Sequence, residues 1–375
     1  MNLPDLVYHA DWSIRAQNRW CAKATLKGGR YTAFAPEPVG ELGNLPKNLG
    51  IDAGDSETVF AGFDFPIGVP EHYANRANIS RFPEFLKQLG TGDWEHFYSV
   101  CEYPKEVSLH RPFYPLRYEE SSCSQKMFLK RHEAANMDVL LRRCELGGEG
   151  QKRACSLFWT LGGNQVGKAA IVGWRDMLVP ALQTGAVRVW PFEGSLESLL
   201  QPGRTVIAET YPAECYRWFG GEPPRSKREI ECRVTFGTQL LDWAHTNRIT
   251  ITPLLEDAIE QGFPAGEDDA FDAVVGLFGM LQVCLGERAS GDPQDEAVSK
   301  KEGWILGRQS TAHVHSTNPY SSATDAELRD WLRWASESGE APTFIRAVAE
   351  TASVADLEEY ALLRPVLLKL RRRSR

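Results

Sequence analysis

The chain has 375 residues, of which 42% are hydrophobic and 25% charged, and this composition is typical of a globular protein with about two or three domains. A formal net charge of -8 and a pI of about 5.6 argue against broad, non-specific binding of nucleic acid through phosphate neutralisation. The eight cysteines include no Cys-x-x-Cys pair, and the first residues lack a signal-peptide pattern, so we expect free thiols in a cytoplasmic protein. No uncharged run reaches about 18 residues, so we expect no membrane segment.

The N-terminal part of the sequence predicts an antiparallel β-meander. Candidate strands cover residues 6–11, 19–26 and 31–35. Gly28 and Gly29 supply a two-residue turn between the last two strands, because glycine tolerates the positive φ angles that tight hairpins need. The chain is therefore expected to begin with strands that pair locally.

Further along, short apolar runs are combined with helical patterns. The later candidate strands are residues 58–63, 187–190 and 205–208, each closed by a nearby proline. A long aromatic and mixed-charge insert, helical in parts, occupies about residues 72–185. The predicted helices are residues 230–246 and 268–285. Short strands followed by helices predict an α/β fold for a core spanning residues 1–286.

The last part of the sequence predicts a linker and a small helical module. Residues 287–323 are largely polar and read as a linker, within which the apolar segment 303–307 is expected to pack back onto the core. A capping box at Thr324-Asp325-Ala326-Glu327 opens an amphipathic helix, so residues 324–375 are predicted to form a C-terminal helical module.

Acidic residues recur where the predicted strands end. Asp11, Asp64 and Glu209 each follow or close an apolar run. Asp269 and Asp272 are three residues apart and share a face of the last predicted helix. That face continues through Gly276 and Gly279, whose small size predicts a close approach of the helix to the sheet. In an α/β sheet the functional crevice lies beyond the carboxyl ends of the strands, so these acids are expected to converge there.

Several carboxylates brought together repel one another unless a cation offsets their charge. Mg²⁺ and Mn²⁺ are hard cations that prefer oxygen ligands, and two such ions about 4 Å apart can drive phosphodiester hydrolysis. Each acid alone is typical of a turn or a helix cap. The metal hypothesis therefore depends on the combination.

The combination resembles the predicted RNase H-like nucleases, in particular the family called domain of unknown function 429. The motifs that carry the resemblance are Ala10-Asp11-Trp12-Ser13, Gly62-Phe63-Asp64-Phe65-Pro66, Glu209-Thr210-Tyr211-Pro212 and Asp269 with Asp272-Ala273. The resemblance covers about residues 5–307. It implies a mixed five-stranded sheet, three strands antiparallel, flanked by helices.

The same resemblance implies roles for the acids. It assigns metal-ligand and catalytic positions to Asp11, Asp64, Glu209 and Asp272, with Asp269 as the fifth, and it implies Mg²⁺ or Mn²⁺ as cofactor and DNA or RNA as substrate. The pair on the last helix is also similar to that of RuvC-type Holliday-junction resolvases. Those relatives have a glutamate after the fourth strand, where this chain has the shorter Asp64.

Two other hypotheses remain open. The loop from Gly162 to Lys168 nearly matches a phosphate-binding loop, with residues 156–161 as a candidate preceding strand, but Ala169 replaces the hydroxyl that would bind magnesium. A nucleotide-binding enzyme is the first alternative. The second is a non-catalytic adaptor that recruits a protein partner through the C-terminal helices.

Basic residues supply candidate substrate contacts. Lys168 is expected to reach a substrate phosphate under either enzymatic hypothesis. Arg217, Lys227 and Arg228 lie near aromatic residues in the sequence, a mixture that suits single-stranded nucleic acid. A solvated surface over an aromatic core explains the same pattern equally well.

Overall fold

The computed structural model of the chain describes residues 2–45, 49, 57–116, 121–147, 153–161, 165–220 and 223–309. These residues belong to one compact unit, Met1–Ser310. The predicted C-terminal module at residues 324–375 and most of the glycine-rich loop, residues 162–164, lie outside the described residues.

A mixed sheet of eight strands forms the centre of the described part of the chain. The strands are β1 (Leu6–Asp11), β2 (Trp20–Lys27), β3 (Arg30–Ala33), β4 (Glu37–Pro38), β5 (Val59–Phe63), β6 (Val187–Val189), β7 (Thr205–Glu209) and β8 (Thr250–Ile251). Their order is β6-β7-β5-β1-β2-β3-β8, and β4 pairs with β2. The strands β1, β2 and β3 pair antiparallel, whereas β1, β5, β7 and β6 run parallel.

The predicted α/β class is confirmed, and the sheet is larger than the five strands that the resemblance implies. Gly28 and Gly29 form the expected turn with φ angles of 58° and 75°. The two-residue strands β4 and β8 were not expected, because segments so short carry no periodic signal.

Ten α-helices accompany the sheet within the described ranges. They are α1 (Glu71–Arg76), α2 (Phe82–Leu86), α3 (Ser121–Arg131), α4 (Val166–Gly173), α5 (Val179–Gln183), α6 (Leu196–Leu199), α7 (Pro212–Cys215), α8 (Ile230–Thr246), α9 (Pro253–Glu260) and α10 (Asp268–Cys284). A π-helical turn, Trp174–Leu178, joins α4 to α5. No helix that the structure describes is long and apolar enough to cross a membrane.

The two faces of the sheet bury different parts of the chain. Side chains alternate between faces along a strand, so Tyr8 and Ala10 pack with the aromatic insert while Val7 packs with the helices α8 to α10. Helix α10 lies directly across β1 and β2. Gly276 makes this approach possible, since a β-carbon there would collide with the imidazole of His9.

The segment 287–309 also contacts the core. Ile305 forms an isolated parallel bridge with Glu209, and the amide of Leu306 donates to the carbonyl of Glu209 at 2.9 Å. Arg308 is fully buried and forms an ion pair with Glu214 on α7. Residues 303–308 therefore lie against the carboxyl end of β7.

Candidate functional site

A cleft of about 1020 Å³ opens at the carboxyl ends of the parallel strands. Asp64, Glu209 and Asp272 contribute to its lining on the side of the sheet. The β1–β2 connection supplies Arg15 to the rim, and the insert supplies Arg153. Acids thus line the floor of the cleft beneath a rim that carries basic side chains.

Three carboxylates, those of Asp11, Asp64 and Asp272, form a cluster of like charges at this edge. Burial first, and then the neighbouring Asp272 and Asp64, raise the pKa of Asp11 well above its ordinary value. Burial and Asp272 raise the pKa of Asp64 to about 7. Burial also raises the pKa of Asp272. A cation facing this cluster would lower its electrostatic free energy.

Asp11 is compensated only through space, because the charge of Lys227 partly opposes the rise of its pKa. Its side chain is only 7% exposed, and within the described ranges it accepts no hydrogen bond. Asp64 likewise accepts none from the residues that the structure describes. Asp11 is buried and Asp64 half-buried, and their oxygens are therefore available as ligands for a cation.

Asp272 is occupied by groups of the chain itself. The hydroxyl of Tyr216 donates to Asp272 Oδ1 at 2.5 Å, and Nζ of Lys227 donates to Oδ2. Lys227 Nζ also lies 3.9 Å from Oδ2 of Asp268, in the first turn of α10. Burial alone would lower the pKa of Lys227, but the charges of Asp272, Asp11 and Asp268 and the hydrogen bond to Asp272 together raise it, so this ammonium group is charged at neutral pH.

Asp269 lies at the margin of the cluster. It is half-buried in the first turn of α10 and does not line the cleft. Burial raises its pKa, and the charge of Lys227 partly opposes that rise.

Glu209 is paired with the insert instead of with the aspartates. Arg142 donates from Nη1 and Nη2 to the two oxygens of Glu209, both at 2.6 Å, and the amide of Ile67 donates to Oε2 at 2.6 Å. Glu145 accepts from Arg142 Nε at 2.9 Å, and burial raises the pKa of Glu145 to about 7. Bidentate arginine–carboxylate pairs are among the strongest ion pairs in proteins.

Strand alternation explains this separation. The register pairs Ala10 with Phe63 and Phe63 with Glu209, and these three residues share the face that packs on the insert. Asp11 and Asp64 come one residue later than Ala10 and Phe63 and therefore point to the α10 face, where Asp272 lies. The sequence places the acids at the correct edge but cannot show on which face each lies.

The predicted substrate contacts divide into two groups. Lys168 and Lys227 line the cleft, and Lys168 Nζ donates to Gln165 Oε1 at 2.9 Å. Arg217 and Arg228 are exposed and do not line the cleft. Residues 156–161 are irregular, with a turn at residues 157–158, so the strand expected before a phosphate-binding loop is absent from these described residues and that expectation was wrong.

Sequence reasoning missed His9 and Arg142 as parts of the site. His9 is fully buried; one ring nitrogen lies 2.9 Å from Thr210 Oγ1 and the other 3.0 Å from the carbonyl oxygen of Ala273. Burial lowers the pKa of His9 to about 3. A histidine inside an apolar strand was the available signal for it. Arg142 carries no such signal, because it lies 67 residues from Glu209.

The donor set suits a hard divalent cation in part. Asp11, which is buried, and Asp64, which is half-buried, offer carboxylate oxygens, the ligands that Mg²⁺ and Mn²⁺ prefer. Glu209 is unsuited, since Arg142 holds both its oxygens. Among the described residues, no group of three or more His, Cys, Asp or Glu side chains is arranged so that it could hold a metal ion.

Searches against protein-family models, curated proteins and solved structures found no match to this chain.

Proposed function

We propose that the protein is a metal-dependent phosphodiesterase with an RNase H-like core that hydrolyses nucleic acid. The observation that carries the proposal is the clustering of three carboxylates. Asp11 and Asp64 lie at the carboxyl ends of the parallel strands β1 and β5, and Asp272 reaches them from α10. Asp11 is buried and Asp64 half-buried, and neither accepts a hydrogen bond within the described structure, so a cation that joins them would offset their repulsion.

The strand arrangement supports the same proposal. The inner order β3-β2-β1-β5-β7, with β1 to β3 antiparallel and β5 and β7 parallel to β1, agrees with the sheet that the RNase H-like resemblance implies. The helix α10, which carries Asp272, lies across β1, the strand that ends at Asp11.

The basic residues that line the cleft suit an anionic substrate. Its rim carries Arg15, Arg153 and Lys168, whose charges can attract phosphates while the carboxylates hold metal ions below. Asp11 and Asp64 would hold the divalent cation, which supplies Lewis-acid activation of water and of the phosphate when bound. The side chains of the protein would orient the phosphate by way of the basic residues at the rim, and the cleft would limit the access of water.

Cleavage of labelled oligonucleotides tests the proposal. Single-stranded DNA, duplex DNA, single-stranded RNA and an RNA–DNA hybrid are incubated with the full chain and Mg²⁺ or Mn²⁺. We expect at least one to be cleaved, and Asp11→Asn to lower the rate by more than about 100-fold, because even outer partners of metal ligands are worth about 10–100-fold.

Asp242→Asn is the matched control, since Asp242 is an exposed carboxylate on α8. It should cleave at the wild-type rate. The proposal fails when no substrate is cleaved with either ion, or when Asp11→Asn cleaves as fast as the control.

A further inference from the structure

Tyr211 gives the cleft an aromatic surface close to the acids. It follows Glu209 by two residues, lies immediately before α7 and lines the cleft. The residue is half-buried, and its inner side packs on the hydrophobic cluster that also contains α10. Burial first, and then the charge of Asp64, raise the pKa of Tyr211 to about 12, so the phenol is neutral at physiological pH. A neutral ring therefore lies at the edge of the acidic floor.

The other aromatic residues around the cleft are occupied by the protein interior. Trp12 and Phe65 also line the cleft, but they are only 6% and 2% exposed and pack on each other with ring centroids 5.4 Å apart. Tyr216 is buried and donates to Asp272. Among the cleft-lining aromatic residues that the structure describes, Tyr211 is thus the one with a partly exposed ring.

The connection between β1 and β2 holds a basic residue at the rim. The buried Arg19 donates from Nε to the carbonyl oxygen of Ser13 at 2.6 Å and from Nη2 to that of Ile14 at 2.9 Å. Its guanidinium also lies 4.8 Å from the centroid of the Trp12 ring. These contacts fix the backbone just before Arg15, which is exposed, lines the cleft and has no ion-pair partner within the described ranges. Arg15 is therefore available for a phosphate.

A partly exposed ring and an unpaired guanidinium in one cleft match the chemistry of an unpaired nucleic-acid strand. Proteins bind single strands by stacking bases on aromatic side chains and by contacting the backbone with basic ones. In a duplex the bases are paired and stacked inside, so a base reaches a protein ring only by leaving the helix. Duplex binding without stacking depends on phosphate neutralisation, which the net charge of -8 opposes.

We infer that the cleft binds an unpaired nucleic-acid strand, with one base stacked on Tyr211 and the backbone held at Arg15. The inference rests on the proposed function, because a phosphate near that base is then placed over Asp11 and Asp64. Tyr211 is consequently a residue that determines the class of substrate: it favours single strands over duplexes.

Fluorescence anisotropy tests the inference with the full chain, Ca²⁺ and fluorescein-labelled probes of about 12 nucleotides, a length within the range of known single-strand sites. The probes are single strands of DNA and RNA, their blunt duplexes, and abasic strands that keep the phosphates without the bases. The better-bound strand should bind at least about 10-fold more tightly than its duplex and its abasic form.

Tyr211→Leu should weaken binding of that strand by roughly 5- to 150-fold, the value of one stacked base. It should bind the abasic strand as the wild type does, because no base is present to stack. Tyr211→Phe keeps the ring and should remain within about twofold of the wild type. Tyr103→Leu is the matched control, since Tyr103 is also half-buried but does not line the cleft, and it should bind every probe normally.

Arg15→Gln should weaken binding of the natural and the abasic strand alike, because a phosphate contact does not depend on the base. The slope of log affinity against log salt should become shallower by about 1. An unchanged slope and affinity would overturn the assignment of the backbone to Arg15.

A duplex bound as tightly as the strand, or unchanged strand binding by Tyr211→Leu, would overturn the inference and leave the proposed nuclease intact. Equal losses in Tyr211→Phe and Tyr211→Leu would also overturn it, because the hydroxyl would then make the contact. The expected binding without cleavage under Mg²⁺ or Mn²⁺ would refute the proposed hydrolysis alone. The comparison among strand, duplex and abasic strand uses the wild-type protein, so the inference can be refuted even if every variant misfolds.

Discussion

Alanine in place of Gly276 should destabilise the protein, although alanine normally favours helices. A β-carbon at this position would lie within 2.5 Å of Nδ1 of His9 and closer still to the other ring nitrogen. Carbon atoms in ordinary contact are about 3.5–4.0 Å apart, so the ring or the helix must retreat by about 1 Å or more.

The expected loss combines three effects. Overpacking a well-packed core costs about 1–3 kcal/mol. Displacing His9 also weakens its bonds with Thr210 and Ala273, each worth about 0.5–1.5 kcal/mol. Replacing glycine by alanine within a helix returns about 1 kcal/mol. The free energy of unfolding should therefore fall by roughly 3 kcal/mol.

Urea unfolding followed by tryptophan fluorescence measures this change. Gly43→Ala is the matched control, because a β-carbon at Gly43 meets nothing within 4 Å. It should change stability by less than about 0.5 kcal/mol. In a His9→Ala background the cost of Gly276→Ala should largely disappear, since the ring that it strikes is gone. If Gly276→Ala alone is as stable as the wild type, the close packing of α10 on β1 is refuted.

Two further predictions concern buried ionisable groups. His9 is neutral in the folded protein, with a pKa of about 3, but takes up a proton below its ordinary value of 6.5 when unfolded. The contribution of neutral His9 to stability is thus complete above pH 6.5 and is lost as pH falls towards 3. Relative to His9→Gln, the wild type should lose about 2 kcal/mol of unfolding free energy between about pH 7.5 and pH 5, measured by urea titration. If the two proteins show parallel pH profiles, this prediction is contradicted. Arg142→Met should lower the free energy of unfolding by about 3–5 kcal/mol because it leaves Glu209 and Glu145 buried without a counter-charge. Adding Glu145→Gln and Glu209→Gln to Arg142→Met should restore most of that stability. If Arg142→Met alone costs less than about 1 kcal/mol, the ion pairs of Arg142 are solvated and the reasoning is refuted.

Local patterns predicted the elements that build the site. The apolar run at residues 6–11 and the glycine turn define a strand and hairpin with no help from distant residues, and they match β1 and the β2–β3 connection. The predicted helix at residues 268–285 differs from α10 by one residue. Gly276 lies against the sheet as expected, whereas Gly279 faces Cys215 and Trp218 around α7.

Long-range pairing limited the prediction of the site itself. The position of Glu209 at a strand end is local information, but its face depends on the register with β5. Its partner Arg142 comes from the insert, in a stretch with no regular periodicity. The occupation of Asp272 by Lys227 likewise depends on how residues 223–229 meet α10.

Residues 303–308 have a consequence for biosynthesis. Glu209 and Glu214 obtain partners from Leu306 and Arg308, which are made long after β1. At about 5–20 residues per second, roughly 15–60 s separate the synthesis of Asp11 from that of Arg308. The N-terminal strands can pair early, but their α10 face has no cover until α10, residues 268–284, has been made. A nascent chain of this protein is therefore expected to depend on chaperones until its last core segment emerges.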